Sequence, residues 1–283
     1  MRDSSGEPGH RPAADSACAV AAIVVAAGTG ERLGAGRPKA LVEVGGRPLL
    51  GWALDGLRAA GIDHIVVVAH PEYLDQVAAI AGSASVVPGG ATRQESVSAG
   101  LAQLTDEPGI VLVHDAARCL TPPDTIELVI RTLQQGARVV IPAIPIVDTL
   151  RARTGGVVDR SHLVSVQTPQ GFHRDVLEQA HHRGAPGATD DALLAEANGE
   201  HVTLVPGSDE AFKVTTPLDL VLAEALVRHR ADGAARPAAA DGRATGSDIG
   251  SVPGASTELG TGSHAAKAAE AADGPDAQAV VGS

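Results

Sequence analysis

The sequence predicts an α/β fold built on a doubly wound, mostly parallel sheet, from which a β-arm projects. The first observation is that short apolar runs alternate with amphipathic stretches over residues 19–230. The second is that these runs are apolar almost throughout, as expected of strands covered by helices on both faces. The third is a stretch at about residues 145–168 that interrupts the alternation. In such sheets, ligands bind in loops at the carboxyl ends of the strands.

Strands are expected where β-branched residues cluster, and helices are expected in the amphipathic stretches between them. The predicted strands are Ala19–Val25, Ile65–Ala69, Ile110–Val113, Val139–Ile141 and Val202–Val205. The predicted helices are Leu49–Ala60, Glu72–Ala81, Arg93–Leu104, Asp124–Gln135 and a last helix from Thr216 to about His229. Prolines at the start of the fourth helix and Gly136 at its end support those bounds.

The projecting arm is predicted from the segment Pro145–Gln170. Gly155 and Gly156 stand between two short extended runs, which is typical of a β-hairpin. A hairpin that leaves its own sheet has too little surface to be stable alone. We therefore expect the arm to pack on a second copy of the chain.

The two ends of the chain differ in composition from the folded region. Residues 1–18 are rich in Gly, Pro, Ser and charged residues, and residues 231–283 are mostly Ala, Gly, Ser, Asp and Pro. Neither segment has enough large apolar residues to form a core. The sequence therefore predicts a disordered leader and a disordered low-complexity tail around one domain at residues 19–230.

The composition argues against several classes of partner and location. A net charge of −12 and an aromatic content of 1% argue against a nucleic-acid partner. The apolar run at residues 17–27 lacks a basic flank and is too short to span a bilayer, so no membrane association is expected. Cys18 and Cys119 show no metal-ligand spacing, and so few cysteines fit a reducing cytoplasm.

The stretch from Ala26 to Leu41 follows the first predicted strand and is rich in glycine. Glycine allows the backbone to approach a ligand closely, and successive N–H groups in such a loop can bind phosphate oxygens. Arg32 and Lys39 supply two cations in the same stretch. Leu33 interrupts the dinucleotide-binding glycine pattern, and the Walker pattern fails as well. A polyphosphate site is favoured over the alternative, a tight turn with solvated charges.

Two further loops carry groups suited to nucleotide chemistry. Gly89 and Gly90 permit close approach of a flat base, and Ser96 offers a hydroxyl group, although in isolation a plain turn explains this stretch more simply. Asp115 follows a buried strand, where a carboxylate can hold Mg²⁺ beside a phosphate, and Arg118 offers a cation for another phosphate. The alternative for these two residues is a helix N-cap with a surface arginine.

The positions of the few lysines also indicate the loops at the ends of the predicted strands as the site of the chemistry. Among the 22 lysines and arginines, only Lys39, Lys213 and Lys267 are lysines, and Lys267 lies in the tail. The two lysines of the folded region both lie in loops near predicted strand ends. Their position suggests that these point charges take part in the chemistry.

A set of short motifs follows in order along the folded region. They are Ala26-Ala27-Gly28-x-Gly30-x-Arg32-x-Gly34 with Pro38-Lys39, Gly90 with Ser96, His114 to Arg118, Asp148-Thr149, Asp159-Arg160, Thr168-Pro169-Gln170, Thr189-Asp190-Asp191 and Lys213-Val214-Thr215. The ordered set resembles the 2-C-methyl-D-erythritol 4-phosphate cytidylyltransferases over about residues 20–230. The glycine loop alone would indicate only the wider nucleotidyltransferase superfamily, with its Rossmann-like fold. Cys119 departs from the family, which usually has proline there.

The resemblance implies an activity and a set of site residues. The reaction would transfer CMP from CTP to 2-C-methyl-D-erythritol 4-phosphate, releasing pyrophosphate, in non-mevalonate isoprenoid precursor biosynthesis. Mg²⁺ would be held by Asp115, and a homodimer would let arm residues reach the neighbouring subunit's site. The catalytic cations would be Arg32, Lys39 and Lys213. The nucleotide would contact Ala26, Ala27, Gly28, Gly30, Gly90 and Ser96, and the sugar phosphate would contact Arg118, Thr149, Arg160, Thr168 and Lys213.

Three alternatives remain open from the sequence. A ribitol-5-phosphate cytidylyltransferase would share the fold and nearly all of the motifs. An NAD(P)-dependent dehydrogenase would use the glycine turn but leave Lys39 and the Asp115 loop without a role. A nucleotide-sensing domain would bind CTP without releasing pyrophosphate.

Overall fold

The computed structural model describes residues 19–184, 188 and 190–235, which form an eight-stranded sheet with helices and two small hairpins. The strands are β1 Val20–Ala26, β2 Glu43–Val44, β3 Arg47–Pro48, β4 His64–Ala69, β5 Ser85–Pro88, β6 Ile110–Asp115, β7 Val139–Pro145, β8 Leu150–Arg151, β9 Val157–Val158, β10 Val164–Val166, β11 Gln170–His173 and β12 Val202–Pro206. The helices are α1 Leu49–Ala59, α2 Leu74–Ala81, α3 Arg93–Gln103, α4 Pro123–Gln134, α5 Arg174–Arg183, α6 Asp191–Ala197 and α7 Pro217–Ala235.

The strand order of the large sheet is β10-β7-β11-β6-β1-β4-β5, and β12 also pairs with β7. Strand β1 pairs in parallel with β4 and β6, β4 pairs in parallel with β5, and β7 pairs in parallel with β12. Two strands, β10 and β11, run antiparallel to their neighbours. The predicted mostly parallel sheet is therefore confirmed.

Helices cover both faces of this sheet, which confirms the doubly wound arrangement. One buried cluster joins alternate residues of β1 and β4 to apolar residues of α1, α2 and α4. A second cluster joins the intervening strand residues to α3, α5 and α6. A third cluster packs part of α7 against the β2–β3 hairpin and the loop after β6. Because side chains alternate along a strand, continuous apolar runs supply both faces at once.

The register of the parallel strands brings three loops to the same edge of the sheet. Val25 of β1 is paired with Asp115 of β6, and Ala26 is paired with Ala69 of β4. Ala69 is in turn paired with Pro88 at the end of β5. The glycine loop, the Gly89–Gly90 loop and the Asp115 loop therefore start side by side.

The predicted arm contains a hairpin, and its return strand rejoins the large sheet. Strands β8 and β9 pair antiparallel across a turn in which Gly155 and Gly156 have φ of 108° and 83°. Side chains with a Cβ rarely adopt such values, so the turn favours glycine. Strand β10 then pairs with the end of β7. Only the middle of the segment at residues 145–168 thus lies outside the large sheet.

Several bounds differ from those predicted from the sequence. Strand β11 was not predicted, because Gln170–His173 is short and mixed in polarity. Helix α5, which follows it directly, was not predicted either. Helix α7 continues to Ala235, so the expected domain end at residue 230 falls inside a helix. The predicted leader, residues 236–283 of the predicted tail, and Thr189 lie outside the described residues. Among the residues described, no helix is long and apolar enough to cross a bilayer.

Candidate active site

A cavity of about 610 Å³ lies where the three loops meet. Its walls come from the glycine loop, the start of α3, the loop after β6 and the segment before α7. Ten of the residues predicted from the sequence line it: Ala26, Ala27, Gly28, Gly30, Arg32, Lys39, Gly90, Ser96, Asp115 and Lys213. Residues spread over most of the folded chain therefore form one site.

The glycine loop is closed by Lys39. The backbone N–H of Lys39 donates a hydrogen bond to the carbonyl of Gly28, with 3.3 Å between nitrogen and oxygen. Gly30 has φ of 76°, and a Cβ placed there would lie 3.0 Å from the backbone nitrogen of Lys39. Both the left-handed conformation and the close approach thus favour glycine at position 30. The loop brings the Lys39 side chain into the cavity wall.

Lys39 shares the cavity with Arg32 and Lys213, and these cations affect its charge. The pKa of Lys39 is lowered to about 8, first by partial burial and then by repulsion from Lys213 and Arg32. Like charges around one cavity disfavour each other until an anion enters. The electrostatics of the cavity therefore suit a polyphosphate ligand.

Asp115 forms an ion pair with Lys213 at the cavity wall. The ammonium nitrogen of Lys213 lies 2.7 Å from Oδ2 of Asp115. The backbone N–H of Val214 donates to the carbonyl of Ala117 at 2.9 Å, which ties the Lys213 segment to the loop after β6. Burial alone would raise the pKa of Asp115, but the combined attraction to Lys213 and Arg93 outweighs it and lowers the pKa. The carboxylate is therefore ionised at neutral pH.

The donor set around Asp115 fits a magnesium ion shared with a substrate. Among the residues that the structure describes, no group of three or more His, Cys, Asp or Glu side chains forms a metal site. Mg²⁺ commonly takes one or two carboxylates together with substrate phosphates and water. A single ionised carboxylate beside a polyphosphate cavity matches that pattern.

Thr168 lies behind Asp115 and does not line the cavity. Its hydroxyl accepts the backbone N–H of Asp115 at 3.0 Å and lies 3.0 Å from Nδ1 of His114. Burial lowers the pKa of His114 to about 4, so its ring is uncharged at neutral pH. Thr168 is 5% exposed. The structure gives Thr168 a supporting position, and its predicted contact with the sugar phosphate stays a prediction.

The other predicted acceptor residues lie outside the cavity of their own chain. Arg118 donates to the carbonyls of Ala211 and Val166 at 2.8 and 3.0 Å. Its Nε is buried and has no hydrogen-bond partner among the described residues. Thr149 is exposed on the arm, and the exposed Arg160 donates to backbone carbonyls of residues 146 and 147. Their roles in binding stay predictions.

The start of α3 is shaped by a capping box. Thr92 Oγ1 accepts the N–H of Glu95, and the carboxylate of Glu95 accepts the N–H groups of Ala91 and Thr92. The Ser96 hydroxyl accepts the N–H of Gly90 and donates to the carbonyl of Thr92. A Cβ on Gly90 would lie 2.3 Å from the Cβ of Glu95. Ser96 therefore holds the loop shape that was predicted to receive a base.

Sequence reasoning missed Arg93 as a site residue. Arg93 lines the cavity, and its Nη1 lies 2.6 Å from Oδ2 of Asp191. Its Nε is 3.9 Å from Oδ1 of Asp115. The available signal was a lone arginine three residues after Gly90, in the same loop as the predicted base site.

Cys119, which departs from the pattern of the resembling family, is a core residue here. It is 4% exposed and packs in the third buried cluster. Burial raises the pKa of its thiol to about 12, so it is uncharged at neutral pH. A neutral buried thiol behaves as a small apolar side chain.

Comparisons with known proteins agree over nearly the whole folded region. The family model for "IspD: 2-C-methyl-D-erythritol 4-phosphate cytidylyltransferase" matches residues 20–229. A protein of that name from Nocardia farcinica is 49% identical over 227 residues, covering 77% of this chain and 98% of its own. Another protein of that name, from Frankia casuarinae, is 50% identical over 215 residues, covering 74% of this chain and 81% of its own.

Solved structures are similar in fold as well as in sequence. The crystal structure of 2-C-methyl-D-erythritol 4-phosphate cytidylyltransferase from Thermus thermophilus has a TM-score of 0.62 at 37% identity, covering 75% of this chain and 98% of that one. The crystal structure of 4-diphosphocytidyl-2C-methyl-D-erythritol synthase from Anaerococcus prevotii has a TM-score of 0.66 at 28% identity. The match covers 75% of this chain and 100% of that one.

Proposed function

The chain belongs to the 2-C-methyl-D-erythritol 4-phosphate cytidylyltransferase family, and from this premise we propose that its cavity joins CTP to 2-C-methyl-D-erythritol 4-phosphate. It is a nucleotidyltransferase whose activity is CTP-dependent cytidylyl transfer in isoprenoid biosynthesis. The observation that carries the proposal is the cavity itself, which Arg32, Lys39 and Lys213 line together with an ionised Asp115.

The chemistry requires charge neutralisation more than proton transfer. An oxygen of the acceptor phosphate forms a bond to the α-phosphorus of CTP, and the bond to the bridging oxygen breaks with its electron pair leaving on pyrophosphate. The acceptor phosphate has a second pKa of about 6 and is largely dianionic at neutral pH, so no general base is required. The barrier comes from bringing anions together, which fixed cations lower.

Each cation has a distinct proposed position along the reacting groups. Arg32 and Lys39, next to the glycine loop, stabilise charge on the triphosphate and on the departing pyrophosphate. Lys213 orients the acceptor phosphate near the α-phosphorus. The backbone of residues 26–30 binds phosphate oxygens, and the pocket formed by Gly90 and Ser96 receives the cytidine.

Asp115 is the residue that would hold Mg²⁺, with the remaining ligands supplied by phosphate oxygens and water. The ion would supply positive charge at the triphosphate when bound. The ion pair between Asp115 and Lys213 supports this assignment, because it keeps the carboxylate ionised and fixed at the cavity wall.

The arm provides the basis for a proposed homodimer. Val147, Val157 and Val164 are 80%, 63% and 41% exposed, so the segment presents apolar side chains that a second copy would bury. Arg160 and Thr149 lie on the same segment and do not line the cavity of their own chain. We therefore assign them to acceptor binding, together with Arg118, and with Thr168 acting from its supporting position behind Asp115. The arm residues act at the partner's site.

The two cysteines of the chain fit the reducing environment of a cytoplasmic protein.

A pyrophosphate-release assay tests the proposed reaction. The chain is incubated with each of four nucleoside triphosphates and with either 2-C-methyl-D-erythritol 4-phosphate or ribitol 5-phosphate, in the presence and absence of Mg²⁺. We expect release with CTP, the methylerythritol acceptor and Mg²⁺. Preference for ribitol phosphate, or CTP binding without release, would reject the proposed acceptor or the proposed reaction.

A further inference from the structure

Asp191 is a fully buried carboxylate that the proposed chemistry leaves without a role. It is 0% exposed and opens helix α6. Its Oδ2 accepts from Nη1 of Arg93 at 2.6 Å, and its Oδ1 lies 2.9 Å from Nε2 of His181. Removing a charge from water is costly unless good partners replace the solvent. Both oxygens of Asp191 have such partners.

Arg93 joins this buried carboxylate to the cavity. It is the first residue of α3, and its side chain lines the cavity and is 25% exposed. Burial alone would lower the pKa of Arg93, but attraction to Asp191 and Asp115 raises it. The guanidinium presents five N–H donors in a rigid fork. The hydrogen bond to Asp191 uses the Nη1 end, which leaves other donors for a ligand in the cavity.

Asp191 is itself held from two sides. Nδ1 of His181, on helix α5, lies 3.0 Å from the hydroxyl oxygen of Ser98, on α3. The backbone N–H of Asp191 donates to Oε1 of Gln170 at 3.2 Å. The carboxylate position is therefore set by β11, α3 and α5 together, and it does not depend on Arg93 alone.

The distances define what this arrangement does for Arg93. Its guanidinium is 2.6 Å from Asp191 but 3.9 Å from Asp115 at the closest nitrogen and oxygen. Two carboxylates thus attract one cation, and Asp191, the more deeply buried of the two, makes the closer contact. The contact with Asp191 keeps the guanidinium 3.9 Å from Asp115, which is already paired with Lys213.

We propose that Asp191 is a positioning residue that anchors Arg93 at the cavity wall, and that Arg93 is a further nucleotide-binding residue, donating to the triphosphate of CTP. This inference rests on the proposed function. Arginine suits the role because its fork can bond a buried carboxylate with one end and phosphate oxygens with the rest. A lysine has a single nitrogen and cannot span both partners in this way.

The test measures CTP binding by isothermal titration calorimetry with Mg²⁺ present, and needs no turnover. Arg93→Gln removes the charge, and we expect its Kd for CTP to rise by about 10- to 100-fold, the range for losing a charge-assisted hydrogen bond. Arg93→Lys keeps the charge, and we expect a loss of similar size because the fork is gone. Asp191→Asn is nearly isosteric and is expected to weaken binding to a smaller extent.

The double variant separates positioning from direct binding. If Asp191 acts through Arg93, adding Asp191→Asn to Arg93→Gln leaves the Kd of Arg93→Gln unchanged. Asp175→Asn is the matched control, since Asp175 accepts from Nη2 of Arg138 at 2.8 Å and neither residue lines the cavity. This change also removes a carboxylate charge paired with an arginine, so the Kd of the control should equal that of the unmodified chain.

Three results would overturn the inference. These are an unchanged Kd in Arg93→Gln, an unchanged Kd in a folded Asp191→Asn protein, and fully additive effects in the double variant. Arg93 is partly exposed, so its two variants decide its role even if Asp191→Asn does not fold. If the unmodified chain binds CTP but releases no pyrophosphate, the proposed reaction fails while these binding measurements still test Arg93.

Discussion

At the scale of single residues, the surroundings of Lys39 lower the pKa of its ammonium group. Its pKa of about 8 lies well below the ordinary value of 10.5 because of burial and the neighbouring cations. A pKa of the free enzyme appears in the pH profile of kcat/KM. We therefore expect kcat/KM for CTP to fall as pH rises through about 8, when the ammonium loses its proton. In Lys39→Arg, any remaining activity should show this alkaline decline at higher pH, because arginine stays charged.

Loss of the Lys39 proton does not itself destabilise the fold, because the folded chain releases this proton more readily than the unfolded chain. The unfolded chain keeps the Lys39 proton up to about pH 10.5, while the folded chain releases it near pH 8. Between these values the unfolded state binds more protons, so this group makes folding more favourable as pH rises. Thermal melting measured across the same pH range provides the control. If kcat/KM falls at the same pH in Lys39→Arg as in the unmodified chain, the decline is caused by a group other than Lys39.

Thr168 supports Asp115 from behind, which leads to a second residue-scale prediction. Thr168→Val keeps the shape but leaves the N–H of Asp115 and Nδ1 of His114 without their partner. Buried polar groups without a partner cost about 1–3 kcal/mol of folding free energy. We expect urea denaturation to show a loss of this size, with a lower kcat because Asp115 is less firmly oriented.

Thr168→Ser separates the hydroxyl from the methyl group. Because serine keeps the donor and acceptor, it should recover most of the lost stability and kcat. If Thr168 instead acts by direct contact with the sugar phosphate, Thr168→Val would raise only the acceptor KM and leave the stability unchanged.

At the scale of elements, the arm is the segment whose role depends on a second chain. Its apolar side chains are exposed, and Arg160 lies outside the cavity of its own chain. We expect Arg160→Ala to affect the KM for the sugar phosphate or kcat, and to leave CTP affinity almost unchanged. A two-fold dimer with reciprocal contacts would place each arm at the partner's site.

A mixed dimer tests whether sites are shared between subunits. An Arg160→Ala chain is combined with a Lys39→Ala chain, each expected to be inactive alone. With shared sites, one site of the heterodimer carries both lesions and the other carries neither, so activity partly returns. The control pairs Lys39→Ala with Arg32→Ala, whose lesions lie in the same cavity wall and should give no rescue. Demonstrated heterodimers without rescue in the first pair would reject shared sites.

At the scale of the whole molecule, α7 sets where the chain can be shortened. Helix α7 continues to Ala235, and its residues Leu226 and Val227 pack against the third buried cluster. A cut after residue 230 would remove the last turn of this helix, whereas a cut after Ala235 would preserve it. The composition of residues 236–283 does not support a core.

We therefore expect truncation after Ala235 to leave both the melting temperature and the rate of pyrophosphate release nearly unchanged. Differential scanning fluorimetry and the release assay measure the two quantities. A matched chain that ends at residue 230 should melt at a lower temperature. A clear loss of activity in the longer of these two chains would mean that residues 236–283 contribute to the site.

Much of the fold and ten of the cavity residues follow from local patterns in the sequence. The β-branched runs predicted β1, β4, β6 and β7 because strands buried on both faces need apolar side chains in succession. Gly30 and Lys39 were identified because phosphate binding needs a close backbone and a nearby cation, and both lie within one loop. Each of these signals is contained in a short stretch of chain.

The rest was decided by contacts between distant parts of the chain. The short strand β11 is ordered by pairing with both β6 and β7, which its own four residues do not reveal. Asp191 meets Arg93 across 98 residues, and Thr168 meets the backbone of Asp115 across 53. A capped helix start and a buried hydroxyl group have the same local sequence whether or not they serve a site. The sequence by itself determined the strands, the glycine loop and its cations, while only tertiary packing decided which polar groups support them, because burial and partner are set by the folded chain.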